Sequence, residues 1–194
     1  MRQNPKITGR AWLLAGLILI CGGFASWPAA GGEHISADEY SLKAAFIYNL
    51  ARFVDWPGAR FHTEDCPLII GVAGDGAFEK IRAVVAHKTI GRHDIIVRPV
   101  ATKQDAEACH VLFFSRAQKD GISDLVTAAA ASAVLTVGET DNFLESGGMI
   151  RFYIESESIR LVIDEAAIRR AGVAINANAL STLINKKIAR LRKV

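Results

Sequence analysis

The sequence predicts a single α/β domain with a mostly parallel central sheet, helices on both faces and an antiparallel hairpin at its end. Between positions 68 and 138, short apolar runs alternate with helical segments of about ten residues, which is typical of right-handed crossover units. After position 148 two alternating strands follow each other across a two- or three-residue link, as in a hairpin. We therefore expect a three-layer, Rossmann-like domain.

The start of the chain has the layout of a secretory signal peptide. Three basic residues precede a short apolar run over residues 11–20, and small residues follow. A membrane-spanning helix needs about 20 apolar residues, and two glycines end this run. A retained anchor is the less favoured alternative, as is lipidation of Cys21, because Ile20 stands where that processing needs a small residue. We expect a signal peptide over residues 1–30 and a periplasmic domain over 36–194.

Removal of this segment changes the charge of the protein. The full chain has a formal net charge of +3, and the basic residues of the signal segment account for it. The exported domain is close to neutral, which removes the main support for nucleic-acid binding. A basic cluster remains at the C-terminus, namely Lys186, Lys187, Arg190, Arg192 and Lys193. We interpret it as a solvated helix end, where cations suit the helix dipole; contact with an anionic membrane surface or partner is the alternative.

The first predicted element is an amphipathic helix over residues 44–57 that ends on Trp56 and Pro57. Ser36 and Glu39 have capping-box spacing before it, and the proline forbids a further helical turn. Residues at helical spacing predict the core-facing stripe. They are Leu42, Ala45, Phe46, Asn49, Leu50 and Phe53.

The remaining elements follow in chain order. The strands expected before the hairpin cover residues 68–73, 94–99, 110–115 and 133–138. The helices expected between them cover residues 78–86 and 122–131, with one helical turn within 101–108. The hairpin strands cover 149–155 and 158–164. A short helix over 165–171 ends at Gly172, and a last helix is expected over 178–192.

The residues that carry chemistry form no convincing catalytic set. Gly71-x-x-Gly74-x-Gly76 follows a strand and opens a helix, but its spacing does not match the dinucleotide-binding pattern, so we favour a tight turn. Asp75 lies at a strand's carboxyl end, where α/β folds often bind ligands. No histidines have metal-ligand spacing and no serine lies in a GxSxG elbow. We expect a binding or regulatory module without cofactor or metal, and not an enzyme.

Two arginines of the predicted hairpin share one sheet face. Period-two alternation places Arg151 and Arg160 on the same side of the neighbouring strands. Such a pair is suited to binding an anionic ligand or an acidic patch of a partner. The alternative is that they form exposed ion pairs with Glu155, Glu157 or Asp164, which contribute little to stability.

Export leaves two cysteines in the domain, Cys66 and Cys109. In an exported protein, two cysteines favour one disulfide. A metal site and a reactive thiol are the alternatives, and neither has its usual companions, because the chain has no CxxC and no HExxH motif.

Several segments together resemble the YfiR family. They are KAAFIYNLARFVDWP over 43–57, GVAGDGAF over 71–78, CHVLFF over 109–114, GGMIRF over 147–152, IRLVID over 159–164 and AAIRRAG over 166–172. Each motif alone is modest, but their order and spacing extend over nearly all of the exported chain.

This resemblance implies a periplasmic regulator and not an enzyme. YfiR proteins sequester the periplasmic sensor region of an inner-membrane diguanylate cyclase, which keeps cyclic-di-GMP low and restrains biofilm formation. An outer-membrane, peptidoglycan-binding lipoprotein can capture the regulator and release the cyclase, and members form homodimers. The alternative is a periplasmic small-ligand-binding module coupled to another signalling system, using the sheet end near Asp75 or the face of Arg151 and Arg160.

The resemblance also bears on individual residues. Cys66 and Cys109 match the family's longer-range disulfide, whereas the second cysteine pair of better-known members is absent, so its redox control is not transferable. The family's Ile-Ser-Ser after the closing glycine is replaced by residues 175–177, Ile-Asn-Ala, which puts any contact made by those serines in doubt. The exposed face at the end of the first helix becomes a candidate for partner or dimer contact. Its residues are Tyr48, Arg52, Asp55 and Trp56.

Overall fold

A computed structural model describes residues 37–56, 60–61, 63 and 65–192 of the chain. The predicted signal peptide lies outside the described residues, as do Cys21, the capping residue Ser36, Pro57 and Lys193. In the part of the chain that is described, no helix is long and apolar enough to cross a membrane.

The elements alternate between helices and strands along most of the chain. The helices are α1 (Ala37–Arg52), α2 (Phe78–Val85), α3 (Lys103–Glu107), α4 (Ile122–Ala131), α5 (Glu165–Arg170) and α6 (Ala177–Asn185). The strands are β1 (Leu68–Ala73), β2 (Thr89–Ile90), β3 (His93–Pro99), β4 (Val111–Phe114), β5 (Leu135–Gly138), β6 (Ile150–Glu155), β7 (Ser158–Ile163) and β8 (Ala189–Leu191).

Within the described residues these strands form one sheet in the order β2-β3-β1-β4-β5-β6-β7-β8. The pairs from β3 to β6 are parallel, and β6 and β7 form an antiparallel hairpin in which Tyr153 lies opposite Arg160. At the two ends, β2 is antiparallel to β3 and β8 is parallel to β7. The predicted α/β fold with a mostly parallel sheet and a C-terminal hairpin is therefore confirmed.

Alternate strand residues enter two apolar clusters, one on each face of the sheet. Val111 and Phe113 of β4 belong to the first cluster, which also contains buried residues of α1, α2 and α5. Leu112 and Phe114 of the same strand belong to the second cluster, with residues of α3 and α4. Because successive side chains of a strand point to opposite faces, the sheet is the middle of three layers.

The first helix ends earlier than predicted. α1 ends at Arg52 and not at Trp56, because the following segment becomes extended and pairs with a distant part of the chain. Val54 forms a β-bridge to Ile175, and the Asp55 amide donates to the carbonyl of Ala174 at 2.8 Å. These bonds satisfy backbone groups that a further helical turn would otherwise satisfy.

The predicted core stripe of this helix is also wrong in phase. The residues that α1 buries are Tyr40, Lys43, Ala44, Ile47, Leu50 and Ala51. Of the predicted stripe, Leu50 alone is fully buried; Leu42 is 53% exposed, Ala45 and Asn49 are exposed, and Phe46 and Phe53 are half-buried. The prediction followed the aromatic residues, whereas the helix packs through the small side chains of Ala44 and Ala51.

The second half of the predicted last helix is a strand. α6 ends at Asn185, and Lys187 has a positive φ of 55°. β8 then continues the sheet beyond β7, with the Leu161 amide donating to Ile188 at 2.9 Å and the Arg192 amide to Ile163 at 2.8 Å. Pairing of this otherwise open sheet edge outweighs the local helical pattern. Of the basic cluster, Lys186 and Lys187 lie exposed at the end of α6, as predicted, whereas Arg190 lies on the edge strand and Arg192 directly follows it.

Candidate functional site

The carboxyl ends of β1 and β4 form the switch point where open α/β sheets usually bind ligands. In this chain the crevice between them is filled by the protein itself. Ser115 donates its hydroxyl to the carbonyl of Asp75 at 3.1 Å. Gly74 has a φ of 85°, and a Cβ added there would lie 2.5 Å from Ser115 Oγ. The glycine is needed for a tight, closely packed turn, as the sequence predicted, and Asp75 is exposed.

A buried charged cluster lies at the carboxyl end of the next strand, β5. Lys43 of α1 is 1% exposed and its ammonium pairs with the carboxylates of Glu139 and Glu39. Glu139 also accepts the Tyr40 hydroxyl at 3.0 Å and the Arg116 amide at 2.5 Å. Burial, together with the charge and hydrogen bond of Glu139, raises the pKa of Tyr40 far above its usual value. This network joins α1 to the sheet through groups that are satisfied inside the protein.

Sequence reasoning missed this cluster. Lys43 falls between Tyr40 and Ile47 on the stripe that α1 buries, and a lysine on such a stripe signals a buried partner. The signal went unused because the stripe was predicted in the wrong phase.

The arginine face is the exposed side of the closing hairpin and of β8, formed by Arg151, Tyr153, Arg160 and Arg190. Register confirms that Arg151 and Arg160 share this face, since Arg151 lies opposite Val162 and Tyr153 lies opposite Arg160. The guanidinium carbons of Arg190 and Arg151 lie 4.7 Å and 5.9 Å from the centre of the Tyr153 ring. Tyr153 thus holds two guanidinium groups side by side.

The carboxylates near this face are at its periphery. Arg151 pairs with Asp141, whose side chain is fully exposed. Arg160 Nε lies 3.8 Å from Glu155, the one proposed partner that the structure pairs with it. Asp164 instead caps α5 and accepts from Arg192 at 2.9 Å. Arg160 is half-buried, and its Nε has no hydrogen-bond partner among the described residues. At 3.8 Å from a half-exposed carboxylate, the Arg160–Glu155 pair contributes little to stability.

The candidate contact residues of α1 lie at its C-terminal end. Tyr48 lies between Arg52 and Lys88, with cation-to-ring distances of 5.7 Å and 5.3 Å, and donates to the carbonyl of Thr89 at 3.2 Å. Arg52 and Asp55 are exposed.

Trp56 is half-buried and donates its indole nitrogen to the Ala51 carbonyl at 2.9 Å. Tyr48 and Trp56 pack on the first apolar cluster, whereas Tyr153 packs on the second. The two groups of predicted contact residues therefore lie on opposite sides of the sheet and do not form one site.

The two cysteines are thiols in the structure, so the predicted disulfide is not formed there and stays a prediction. Cys109 is 1% exposed, and its sulfur donates to the carbonyl of Asp105 at 3.2 Å. Burial, followed by the charge of Asp105, raises the pKa of this thiol to about 11. The sulfur lies against Gly71, where a Cβ would be 2.4 Å away. In this state Cys109 is a buried, unreactive thiol.

No group of three or more histidine, cysteine, aspartate or glutamate side chains in the described part of the chain is placed to hold a metal ion.

We compared the chain with protein-family models, curated proteins and solved structures. A family model described as YfiR/HmsC-like matches residues 40–182. No curated protein matches the chain. Among solved structures, the chain is similar to a conserved domain protein from Vibrio cholerae O1 biovar El Tor, with a TM-score of 0.53 and 13% identity.

An ABC domain from Streptococcus pneumoniae, solved in complex with L-Trp, has a TM-score of 0.49 and 10% identity. Each comparison covers 79% of this chain and 60% of the solved one. The chain therefore spans 60% of the length of these proteins. At 13% identity the Vibrio structure shows a shared fold alone.

Proposed function

The chain belongs to the YfiR/HmsC-like family, and from that premise we propose that it is a periplasmic repressor of an inner-membrane diguanylate cyclase. Membership of this family indicates a regulatory role in cyclic-di-GMP signalling and not a catalytic one. In our proposal the exported domain binds the sensor region of the cyclase, which lowers cyclic-di-GMP and restrains biofilm formation. A peptidoglycan-binding lipoprotein of the outer membrane would release the cyclase by capturing the repressor.

The arginine face is the observation that supports protein binding most directly. Arg190 is exposed, and the side chains of Arg151 and Arg160 are 16% and 27% exposed. Guanidinium groups bind carboxylates through paired hydrogen bonds, and arginine and tyrosine are enriched at interfaces. We propose that this face receives an acidic segment of the sensor region.

The end of α1 offers a second surface. Because Tyr48 and Trp56 lie on the other side of the sheet from Tyr153, one domain has room for a partner on the arginine face and for a second copy of itself at α1. We propose that the homodimer contact uses the exposed groups there, Arg52 and Asp55. Light scattering should then show a dimer that Arg52→Glu dissociates, and an unchanged mass would contradict this contact.

Deletion of the gene tests the cyclase link. Cyclic-di-GMP should rise in the deletion strain and fall again when the full chain is restored. No change in either direction would contradict the link.

Charge reversal tests the arginine face. Arg160→Glu combined with Arg190→Glu should abolish repression and in-cell crosslinking to the cyclase, while the exported amount and the melting temperature stay close to wild type. Arg82→Glu is the matched control, since Arg82 is an exposed arginine of α2 that pairs only with the exposed Glu79 among the described residues. Full repression by the double variant would show that the partner binds elsewhere.

A further inference from the structure

A cleft of about 340 Å³ lies at the amino-terminal edge of β1 and β4, and none of its lining residues belongs to the arginine face. Trp56, which follows α1, contacts the lining residue His110, with ring centres 5.5 Å apart. Its volume is in the lower range of small-molecule sites. The apolar part of its lining includes Pro67 and Ile69, both half-buried. Its polar lining includes Arg60, Arg98, Glu107 and His110.

Arg60 is held in place around this cleft by its neighbours. Its guanidinium donates to the carbonyl of Cys109. The adjacent Phe61 stacks on His93 and His110, with ring centres 3.7 Å and 4.8 Å apart. These contacts hold residues 60 and 61 against the sheet, so the Arg60 side chain is already positioned before a ligand binds.

The charge of Arg60 is poorly compensated. Burial lowers the pKa of its guanidinium. The nearby Cys109 thiol has its pKa raised to about 11 and therefore brings no negative charge to this guanidinium near neutral pH. Its Nε is buried and has no hydrogen-bond partner among the described residues. A half-buried cation in this position gains stability from an anion placed beside it.

His110 lines one side of the cleft with an uncharged ring that can form hydrogen bonds. It is 4% exposed, and its Nδ1 accepts the Ile69 amide at 3.0 Å, so the proton of the neutral ring lies on Nε2. Burial, followed by the charge of Arg60, lowers its pKa to about 4, although the backbone of Arg60 offsets part of this effect. Around neutral pH the ring therefore carries no charge.

We propose that this cleft binds a small organic carboxylate. Arg60 and Arg98 supply two positive charges and Glu107 one negative charge, so the lining carries a net charge of +1, which matches a monoanion better than a dianionic phosphate ester. The carboxylate is held by the two guanidinium groups, and the apolar part of the ligand packs on Pro67 and Ile69. This site does not depend on the proposed function, because it uses none of the residues assigned to partner binding.

Cys66 also lines the cleft, so the purified protein is kept reduced, with both cysteines as thiols as in the structure. Calorimetric titration of this protein tests the site with three probes of similar size: benzoate, phenyl phosphate and benzyl alcohol. Benzoate should bind saturably to a single site and more tightly than the other two. Arg98→Gln should weaken benzoate binding by about tenfold, the loss expected for one charge-assisted hydrogen bond. Since Arg98 is exposed, this variant should keep the wild-type melting temperature.

Arg60→Gln should weaken binding further, and Arg60→Lys should restore part of it, because lysine keeps the charge and loses the planar fork. Arg82→Gln is the control and should bind benzoate like the wild type. Absence of saturable benzoate binding, or equal affinity of wild type and Arg98→Gln, would overturn the site. Tighter binding of phenyl phosphate would overturn the assignment to a monoanion, and equal binding of benzyl alcohol would overturn the role of the charge. These outcomes leave the cyclic-di-GMP measurements unaffected.

Discussion

Replacement of Lys43 by methionine should destabilise the domain strongly. Methionine fills most of the volume of the lysine side chain but removes the ammonium group that faces Glu139. The Glu139 side chain is 1% exposed, so its carboxylate would stay buried without the cation that balances it. It would keep the hydrogen bonds from the Tyr40 hydroxyl and the Arg116 amide. Removal of one partner of a buried ion pair costs about 3–5 kcal/mol. For a domain of this size the melting temperature should fall by about 6–20 °C.

A double-mutant cycle isolates the pair interaction. Glu139→Gln keeps an oxygen that accepts from Tyr40 and Arg116, so combining it with Lys43→Met leaves a neutral pair. The loss of unfolding free energy in the double variant should be smaller than the sum of the losses in the two single variants, by a coupling energy of about 2 kcal/mol. Guanidinium chloride unfolding at pH 7, followed by circular dichroism, measures the free energy of each variant.

Lys103→Met is the matched control for this cycle. Lys103 is 62% exposed and pairs with Asp124 at 3.4 Å, and loss of such a surface pair costs at most about 1 kcal/mol. The reasoning is refuted if Lys43→Met costs no more than Lys103→Met, or if the losses of the two single variants simply add.

Three further predictions concern pH, packing and oxidation. Because burial lowers the pKa of His110 from 6.5 to about 4, the folded protein binds fewer protons than the unfolded chain between these values. The free energy of unfolding should therefore fall by about 2 kcal/mol from pH 7.5 to pH 5, and the loss from this group should level off at about one pH unit below the folded pKa. Unfolding curves of His110→Gln should lack this slope, and equal slopes in both proteins would contradict the assignment. Gly148→Ala should cost about 1–3 kcal/mol, since its Cβ would lie 2.3 Å from the buried ring of Phe143, and adding Phe143→Leu should recover part of that loss in the same assay; a neutral Gly148→Ala would show that the ring can move. Non-reducing mass spectrometry of the exported protein should find Cys66 joined to Cys109, and two thiols in that material would disprove the disulfide.

The regular elements of the sheet were predictable because their signals are local. The apolar run over 68–73 and the alanine-rich helix over 122–131 have the predicted bounds in the structure. The hairpin also forms as predicted, because the alternation that begins at Ile150 and Phe152 specifies which face is buried; Ile154, predicted on the same face, is 52% exposed near the hairpin turn.

Predictions failed where a distant segment decides the conformation. Ile188 and Leu191 continue the helical spacing of Ile184, yet the chain leaves the helix after Asn185 and pairs with β7. The end of α1 is likewise extended because Val54 finds Ile175 across the fold. In both places a backbone segment distant in sequence offers hydrogen bonds that no local pattern reveals.

In the candidate sites, too, local patterns were predictable and contacts between distant residues were not. By itself, the sequence determined the order and type of most elements, the mostly parallel sheet and the shared face of Arg151 and Arg160, because side-chain periodicity is a property of neighbouring residues. Only the tertiary structure decided that Lys43 pairs with Glu139, 96 residues away, and that Arg190 joins Tyr153 from an edge strand. Such contacts depend on which elements pack together, and burial of a charge requires that packing to bring it a partner.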